Sequence, residues 1–191
     1  MRDKLSVLKE YFGHDSFREG QDRITDSLLG GRDVLGIMPT GAGKSICYQV
    51  PALMFDGITI VVSPLISLMK DQVSALVQSG VAAAYINSSL THAQYLKVLQ
   101  NTESGKYKII YVAPERLCAP AFLGICRNLN IFMVAVDEAH CVSQWGQDFR
   151  PSYLKIPDFI DSLNSRPVVG AFTATATGAV RDDIKTLLRL V

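Results

Sequence analysis

Cysteine is scarce in this chain of 191 residues, and the four present, Cys47, Cys118, Cys126 and Cys141, form no CxxC pair. That spacing excludes the usual zinc modules, and a chain long enough to bury a full core needs no disulfide framework, so a reducing cytoplasm is the expected compartment. Charge of either sign is not in excess: Lys and Arg number 19 against 18 acidic residues, a formal net charge of +1. No global field then draws the chain to a polyanion, and any nucleic-acid contact has to be local. Long apolar runs are missing as well, and the charged start Met1-Arg2-Asp3-Lys4-Leu5 lacks the apolar core of a signal peptide. No membrane association is expected. With no internal repeat or low-complexity linker, residues 1–191 read as a single domain.

What the sequence does have is 48% hydrophobic residues, gathered into short β-branched runs. Val34 to Met38, Ile58 to Val62, Val81 to Ile86, Lys108 to Val112, Ile131 to Val136 and Val168 to Phe172 read as mostly buried strands. Between them, Leu65, Leu68, Met69, Val73, Leu76 and Val77 keep helical spacing, as do Val180, Ile184, Leu187 and Leu188. Thr91 with Gln94 forms a capping box that starts another helix, and Asn101 to Lys106 is the most loop-like stretch. Alternating strands and helices need crossover connections, which put helices on both faces of a mainly parallel sheet. The fold class is α/β, and ligands of such open sheets sit beyond the carboxyl ends of the strands.

One such strand end carries Met38-Pro39-Thr40-Gly41-Ala42-Gly43-Lys44-Ser45, followed by an apolar helical stretch from Ile46 to Met54. Glycines let backbone N–H groups fold around phosphate oxygens, and the helix N-terminus adds partial positive charge. This is a P-loop, in which Thr40, Gly41, Ala42, Gly43, Lys44 and Ser45 cradle phosphates, Lys44 reaches the β- and γ-phosphates and the Ser45 hydroxyl ligates Mg²⁺. Met38 stands where the strict pattern has glycine.

A second strand, Ile131 to Val136, runs directly into Asp137-Glu138-Ala139-His140. Two carboxylates at a buried strand end can divide labour beside a phosphate site: Asp137 holds Mg²⁺, and Glu138 orients and deprotonates the attacking water. Alone, the pair could be a solvated loop start, and His140 a buried structural imidazole. Together with Lys44 the acids make the second half of an ATPase site, and His140 becomes a link between nucleotide and nucleic acid.

MPTGAGKS at 38–45, DEAHCVSQWGQDFRP at 137–151 and FTATAT at 172–177, with VVSPLISLMKDQV at 61–73 and YVAPERL at 111–117 between them, resemble the RecQ family of DNA helicases. The likeness runs almost end to end. Upstream, Phe17-Arg18-Glu19-Gly20-Gln21 resembles the family's motif 0. The resemblance implies that Gln21 hydrogen-bonds adenine, while Arg18 and an aromatic ring at the position of His14 sandwich it. The family commonly has tyrosine where His14 stands and proline where Glu19 stands. Without the downstream motifs, Arg18 and Gln21 would read as exposed residues at a helix start.

Ser143 to Pro151 resembles the aromatic-rich loop through which these enzymes sense single-stranded DNA, with Gln147 replacing the usual histidine. Trp145 and Phe149 can stack on bases, Arg150 can meet phosphate, and Gln144 belongs to the same loop. A Trp and a Phe four apart can also be helical core. Thr173 and Thr175, in the segment that resembles motif III, would join the acidic motif to DNA; β-branched strand content is the plain alternative. Ser63 and Pro64, and Asn87 with Ser88, follow strands where small hydroxyls and helix N-termini can hold DNA phosphate, though each is also an ordinary turn.

The resemblance implies a RecA-like P-loop NTPase lobe, the first of two, using ATP and Mg²⁺. The implied partners are single-stranded and partially duplex DNA and a second RecA-like lobe, and the implied activity is 3′-to-5′ unwinding in DNA repair and recombination. A bacterial cytoplasm or nucleoid is the implied location. Because residue 191 falls just after motif III, the chain is expected to be a fragment that binds ATP but hydrolyses it slowly without the arginine of a second lobe. Two other classes stay open: a non-catalytic nucleotide-dependent nucleic-acid-binding module, and a lobe of a DEAD-box-like RNA helicase.

Overall fold

The computed structural model describes residues 3–191. All six expected strands form, as β1 (Val34–Ile37), β2 (Ile58–Val62), β3 (Ala83–Ile86), β4 (Ile109–Val112), β5 (Ile131–Val136) and β6 (Val168–Thr173). They make one wholly parallel sheet in the order β1-β6-β5-β2-β4-β3. A strand's side chains alternate between faces, so each run feeds two hydrophobic layers. Ile58, Ile60 and Val62 of β2, Ile110 and Val112 of β4, and Val134 and Val136 of β5 face one layer. Val61, Ile109, Tyr111, Met133 and Ala135 face the other.

The helices that cover the two faces follow from that alternation. On the second face lie α2 (Gln21–Leu29), α3 (Lys44–Met54) and α4 (Ile66–Gln78), which insert Leu28, Cys47, Tyr48, Ala52, Met69, Val73 and Leu76. On the first lie α5 (His92–Glu103), α6 (Pro120–Cys126), α7 (Ile156–Asp161) and α8 (Gly178–Leu187), represented by Leu99, Phe122, Phe159, Val180 and Ile184. The remaining helix, α1 (Lys4–Phe12), packs Val7 and Leu8 outside α3 against Ile46 and Val50.

The capping box at Thr91 and Gln94 forms, with the Gln94 amide N–H on the Thr91 hydroxyl and the Thr91 N–H on Gln94 Oε1. The stretch from Asn101 is less loop-like than its polarity predicts. Helix α5 continues to Glu103 because Thr102 is buried, its hydroxyl donating to the Val98 carbonyl at 2.8 Å. All four cysteines are free. Among the described residues no helix is long and apolar enough to cross a membrane.

Candidate functional site

The sheet order decides what meets at the carboxyl edge. β1, β6 and β5 are neighbours in space although far apart in sequence, so the loops that leave them, beginning at Met38, Ala174 and Asp137, lie side by side. The Met38 N–H donates to the Thr173 carbonyl at 3.0 Å, and the Asp137 N–H to the Val62 carbonyl at 2.9 Å, so strand pairing extends into both loops.

The result is a cleft of about 410 Å³ lined by His14, Arg18, Gln21, Thr40, Gly41, Gly43, Lys44 and Ser45 together with Asp137 and Glu138. Residues expected from three separate motifs therefore share one cavity. Ser16, Ile46, Tyr48, Leu68 and Gln72 complete the wall and were not expected. Tyr48, Leu68 and Gln72 sit on the periodic faces of α3 and α4, where sequence marks them only as ordinary helix residues.

Motif 0 and the loop from Met38 to Ser45 are held together. Gln21, almost fully buried, donates from Nε2 to the carbonyls of Ala42 at 2.9 Å and Gly43 at 3.1 Å, while its Oε1 accepts the Arg18 N–H at 2.8 Å. The Arg18 guanidinium reaches the Gly41 carbonyl at 2.7 Å, and Lys44 Nζ lies 3.3 Å from the Met38 carbonyl. Gly43 adopts φ +77°, and a Cβ there would collide with the Gln21 amide, so glycine meets both a backbone and a space requirement. From Lys44 onward the chain is helical, which turns the free N–H groups of α3 toward the cleft.

Across the cleft, Asp137 is buried and its Oδ1 accepts the Glu138 N–H at 3.0 Å. Burial first, and the neighbouring Glu138 charge second, push its pKa up to about 6; Lys44 and the hydrogen bond act in the opposite sense. Tyr153, fully buried in a short 3₁₀ helix, donates its hydroxyl to the Asp137 carbonyl at 2.9 Å and fixes the strand end. Glu138 has φ +47° and ψ +46°, a left-handed conformation that costs a non-glycine residue on the order of 1–3 kcal/mol. Both carboxylates line the cleft, Asp137 buried and Glu138 with its Oε2 beside the His140 imidazole.

His140 continues the chain of contacts away from the cleft. Thr173 donates its only hydroxyl proton to the Thr175 carbonyl at 3.0 Å, so the 2.9 Å contact with His140 Nδ1 needs the imidazole as donor. The same Nδ1 lies 3.3 Å from Glu138 Oε2. Glu138, His140, Thr173 and Thr175 thus form one polar sequence from the cleft to the loop after β6.

Beyond it stands the loop of Gln144, Trp145 and Phe149. It is not helical: a 3₁₀ turn over Ala139–Val142 gives way to irregular chain, and Trp145 is 77% exposed. The core alternative for this tryptophan is excluded. Phe149 is half-buried and Gln144 exposed. Arg150 pairs with Asp148 at 2.7 Å and donates to the Pro64 carbonyl at 3.3 Å, tying this loop to the turn after β2. Ser63 is fully buried with its hydroxyl unpartnered. Ser88 is exposed at the far edge of the sheet, whereas Asn87 turns inward, accepting from the Ser89 N–H and hydroxyl and donating to Met69 sulfur.

A parallel sheet with a phosphate-type loop, two strand-end acids and a relay to an aromatic loop defines a helicase-type nucleotide-binding lobe. The chain belongs to the DEAD/DEAH box helicase family, whose model matches residues 18–184. It is 52% identical over 180 residues to the ATP-dependent DNA helicase RecQ of Bacillus subtilis, covering 94% of this chain and 30% of that protein. It is 47% identical over 186 residues to the RecQ of Haemophilus influenzae, covering 97% and 30%. The chain therefore spans under a third of the length of these relatives. Among solved structures it resembles a hypothetical ATP-dependent RNA helicase from Sulfolobus tokodaii, with TM-score 0.76, 21% identity, and coverage of 98% of this chain and 55% of that one. It also resembles the helicase MrfA bound to DNA, with TM-score 0.78, 16% identity, and coverage of 100% and 28%. At those identities the two structures speak to fold alone.

Proposed function

We propose that this chain is the ATP-binding motor lobe of a DNA helicase that couples ATP hydrolysis to 3′-to-5′ unwinding in DNA repair and recombination. The observation that carries it is the cleft in which Lys44, Ser45, Asp137 and Glu138 converge, in a chain about half identical to RecQ helicases over nearly its whole length. His14, Arg18 and Gln21 take the adenine. The N–H groups from Thr40 to Ser45 take the phosphates, with Lys44 on the terminal ones. Ser45 and Asp137 fit Mg²⁺: both line the cleft and bring a hydroxyl and a carboxylate oxygen to it, and Mg²⁺ ordinarily uses one or two protein oxygens beside substrate phosphates. When bound, the cation neutralises charge on the phosphates. Glu138 accepts a proton from the attacking water, and its Oε2, 3.3 Å from His140 Nδ1, ties that carboxylate to the imidazole.

The polar sequence through His140, Thr173 and Thr175 reports on Glu138 to the DNA side. There Trp145 and Phe149 stack on bases of single-stranded or partially duplex DNA, with Gln144 and Arg150 beside them. Pro64 and Ser88 are the accessible members of the phosphate track across the strand ends, with the buried Ser63 and Asn87 shaping the turns beneath them. A second RecA-like lobe closes over the nucleotide in the intact protein and supplies the arginine that the resemblance implies.

The test is the ATPase of the full-length protein with and without Glu138→Gln, in the presence of single-stranded DNA or RNA. The variant should keep nucleotide binding and lose at least ~100-fold in turnover, the usual worth of a general base. Equal rates would remove Glu138 from catalysis, and stimulation by RNA but not DNA would reassign the substrate.

A further inference from the structure

Trp145 is exposed, yet the chain beneath it is held by an acid from a distant helix. Ser143 is fully buried at the root of the aromatic loop, and its hydroxyl donates to Asp183 Oδ2 of α8 at 2.6 Å. A serine hydroxyl has one proton. With that proton committed to Asp183, the Ser143 oxygen presents its lone pair to the Trp145 N–H, which it accepts at 3.1 Å. Trp145 N–H, Ser143 hydroxyl and the Asp183 side chain thus form one directed chain of hydrogen bonds ending on an acid of α8.

Two backbone hydrogen bonds and a glycine restrain the loop root further. The Ser143 N–H donates to the His140 carbonyl at 3.2 Å, and the Gly146 N–H to the Ser143 carbonyl at 3.0 Å. A Cβ on Gly146 would overlap the His140 carbonyl, so this turn closes only with glycine. His140, Trp145 and Gly146 also share a small cleft with Thr175, Ala176, Thr177 and Val180. The loop before α8, with Val180 of its first turn, therefore forms one wall of the space beside the indole.

We propose that Asp183 is a positioning residue for the DNA-sensing loop: through Ser143 it fixes the backbone N–H of Trp145 and so presents the indole in one orientation to a single-stranded base. Asp183 touches neither the nucleotide cleft nor the indole itself, so its effect on DNA is indirect. The DNA half of this statement rests on the function proposed above.

Trp145 is the only tryptophan, so its fluorescence reads this loop alone. In the 191-residue chain, Asp183→Ala and Ser143→Ala should each lower the steady-state anisotropy of Trp145 and raise its quenching by acrylamide. Both should weaken quenching by oligo(dT) roughly five- to tenfold in apparent Kd, the effect of losing one ordinary hydrogen bond, with affinity for a fluorescent ATP analogue unchanged. Asp183→Asn keeps an acceptor oxygen and should restore anisotropy and oligo(dT) affinity; a merely structural role for the carboxylate would leave Asp183→Asn as impaired as Asp183→Ala. Wild-type anisotropy and oligo(dT) affinity in Asp183→Ala would overturn the proposal while leaving the DNA reading intact. A wild-type Trp145 that ignores oligo(dT) would instead overturn the DNA reading, and the DNA half of the proposal with it.

Discussion

Asp137 brings a negative charge to a strand end with 7% of its surface exposed and a second carboxylate adjacent in sequence. Desolvation and repulsion from Glu138 raise its pKa from 3.8 to about 6 in the folded chain. The sign of the linkage follows: an acid whose pKa is higher folded than unfolded favours the fold below the unfolded value and loses that contribution as pH rises through the folded one. At neutral pH, without nucleotide or cation, Asp137 therefore works against stability. Asp137→Asn can keep the hydrogen bond from the Glu138 N–H while removing the charge. It should be more stable than wild type at pH 7 by on the order of 1–3 kcal/mol, a shift of this size converted to energy. The advantage should fade between about pH 6 and pH 4. Urea denaturation across that range, in chelator, checks it; an advantage independent of pH would show that charge is not the cause. Function kept at a cost in stability is the usual condition of such sites.

At the scale of elements, α3 and α4 are joined beneath the cleft by a buried polar cluster. Gln49 Nε2 donates to Gln72 Oε1 at 3.0 Å and to the Tyr111 hydroxyl at 2.9 Å, and the hydroxyls of Tyr48 and Tyr111 lie 3.4 Å apart. Burial pushes the Tyr111 hydroxyl up to about 12, so it stays protonated and serves as both donor and acceptor. Tyr111→Phe leaves the 2%-exposed Tyr48 hydroxyl without this partner, and should cost about 1–2 kcal/mol, as an orphaned buried group does. Equilibrium denaturation measures this, and an unchanged midpoint would mean that water or a side-chain shift replaces the bond. This cluster was invisible in the sequence because Tyr48, Gln49 and Gln72 look like routine helix residues until the two helices are laid together.

The strands were legible for the opposite reason: runs such as Ile131 to Val136 are buried on both faces, and nothing polar interrupts them. Helices α6 and α7 were not, being seven and six residues long and too short for a period to emerge. Helices α1 and α2 escaped as well, since each buries a narrow stripe among polar neighbours. Among the site residues, loop motifs with fixed spacing around Lys44 and Asp137 could be read directly. Asp183 and Tyr153 could not, because each acts through one long-range hydrogen bond that leaves no local pattern.

At the scale of the whole molecule, the near balance of charge constrains how the DNA of the proposed function would be held. A net charge of +1 supplies little long-range attraction. Arg150, the one cation expected on the aromatic loop, is already engaged by Asp148 and the Pro64 carbonyl. Trp145, by contrast, offers a bare π-face. Single-stranded DNA should therefore be gripped more by stacking than by phosphate neutralisation in this lobe. Since each neutralised phosphate contributes about −0.7 to the slope of log affinity against log salt, one to three such contacts predict a slope between roughly −0.7 and −2. Titrating the 191-residue chain with a labelled oligonucleotide from roughly 50 to 300 mM salt measures that slope. Trp145→Ala should lower affinity at every salt concentration, by the ~1–3 kcal/mol of a lost base stack, and leave the slope unchanged. A slope steeper than about −4 would place the binding energy in a basic track instead, and a Trp145→Ala line that converges on wild type at low salt would point the same way.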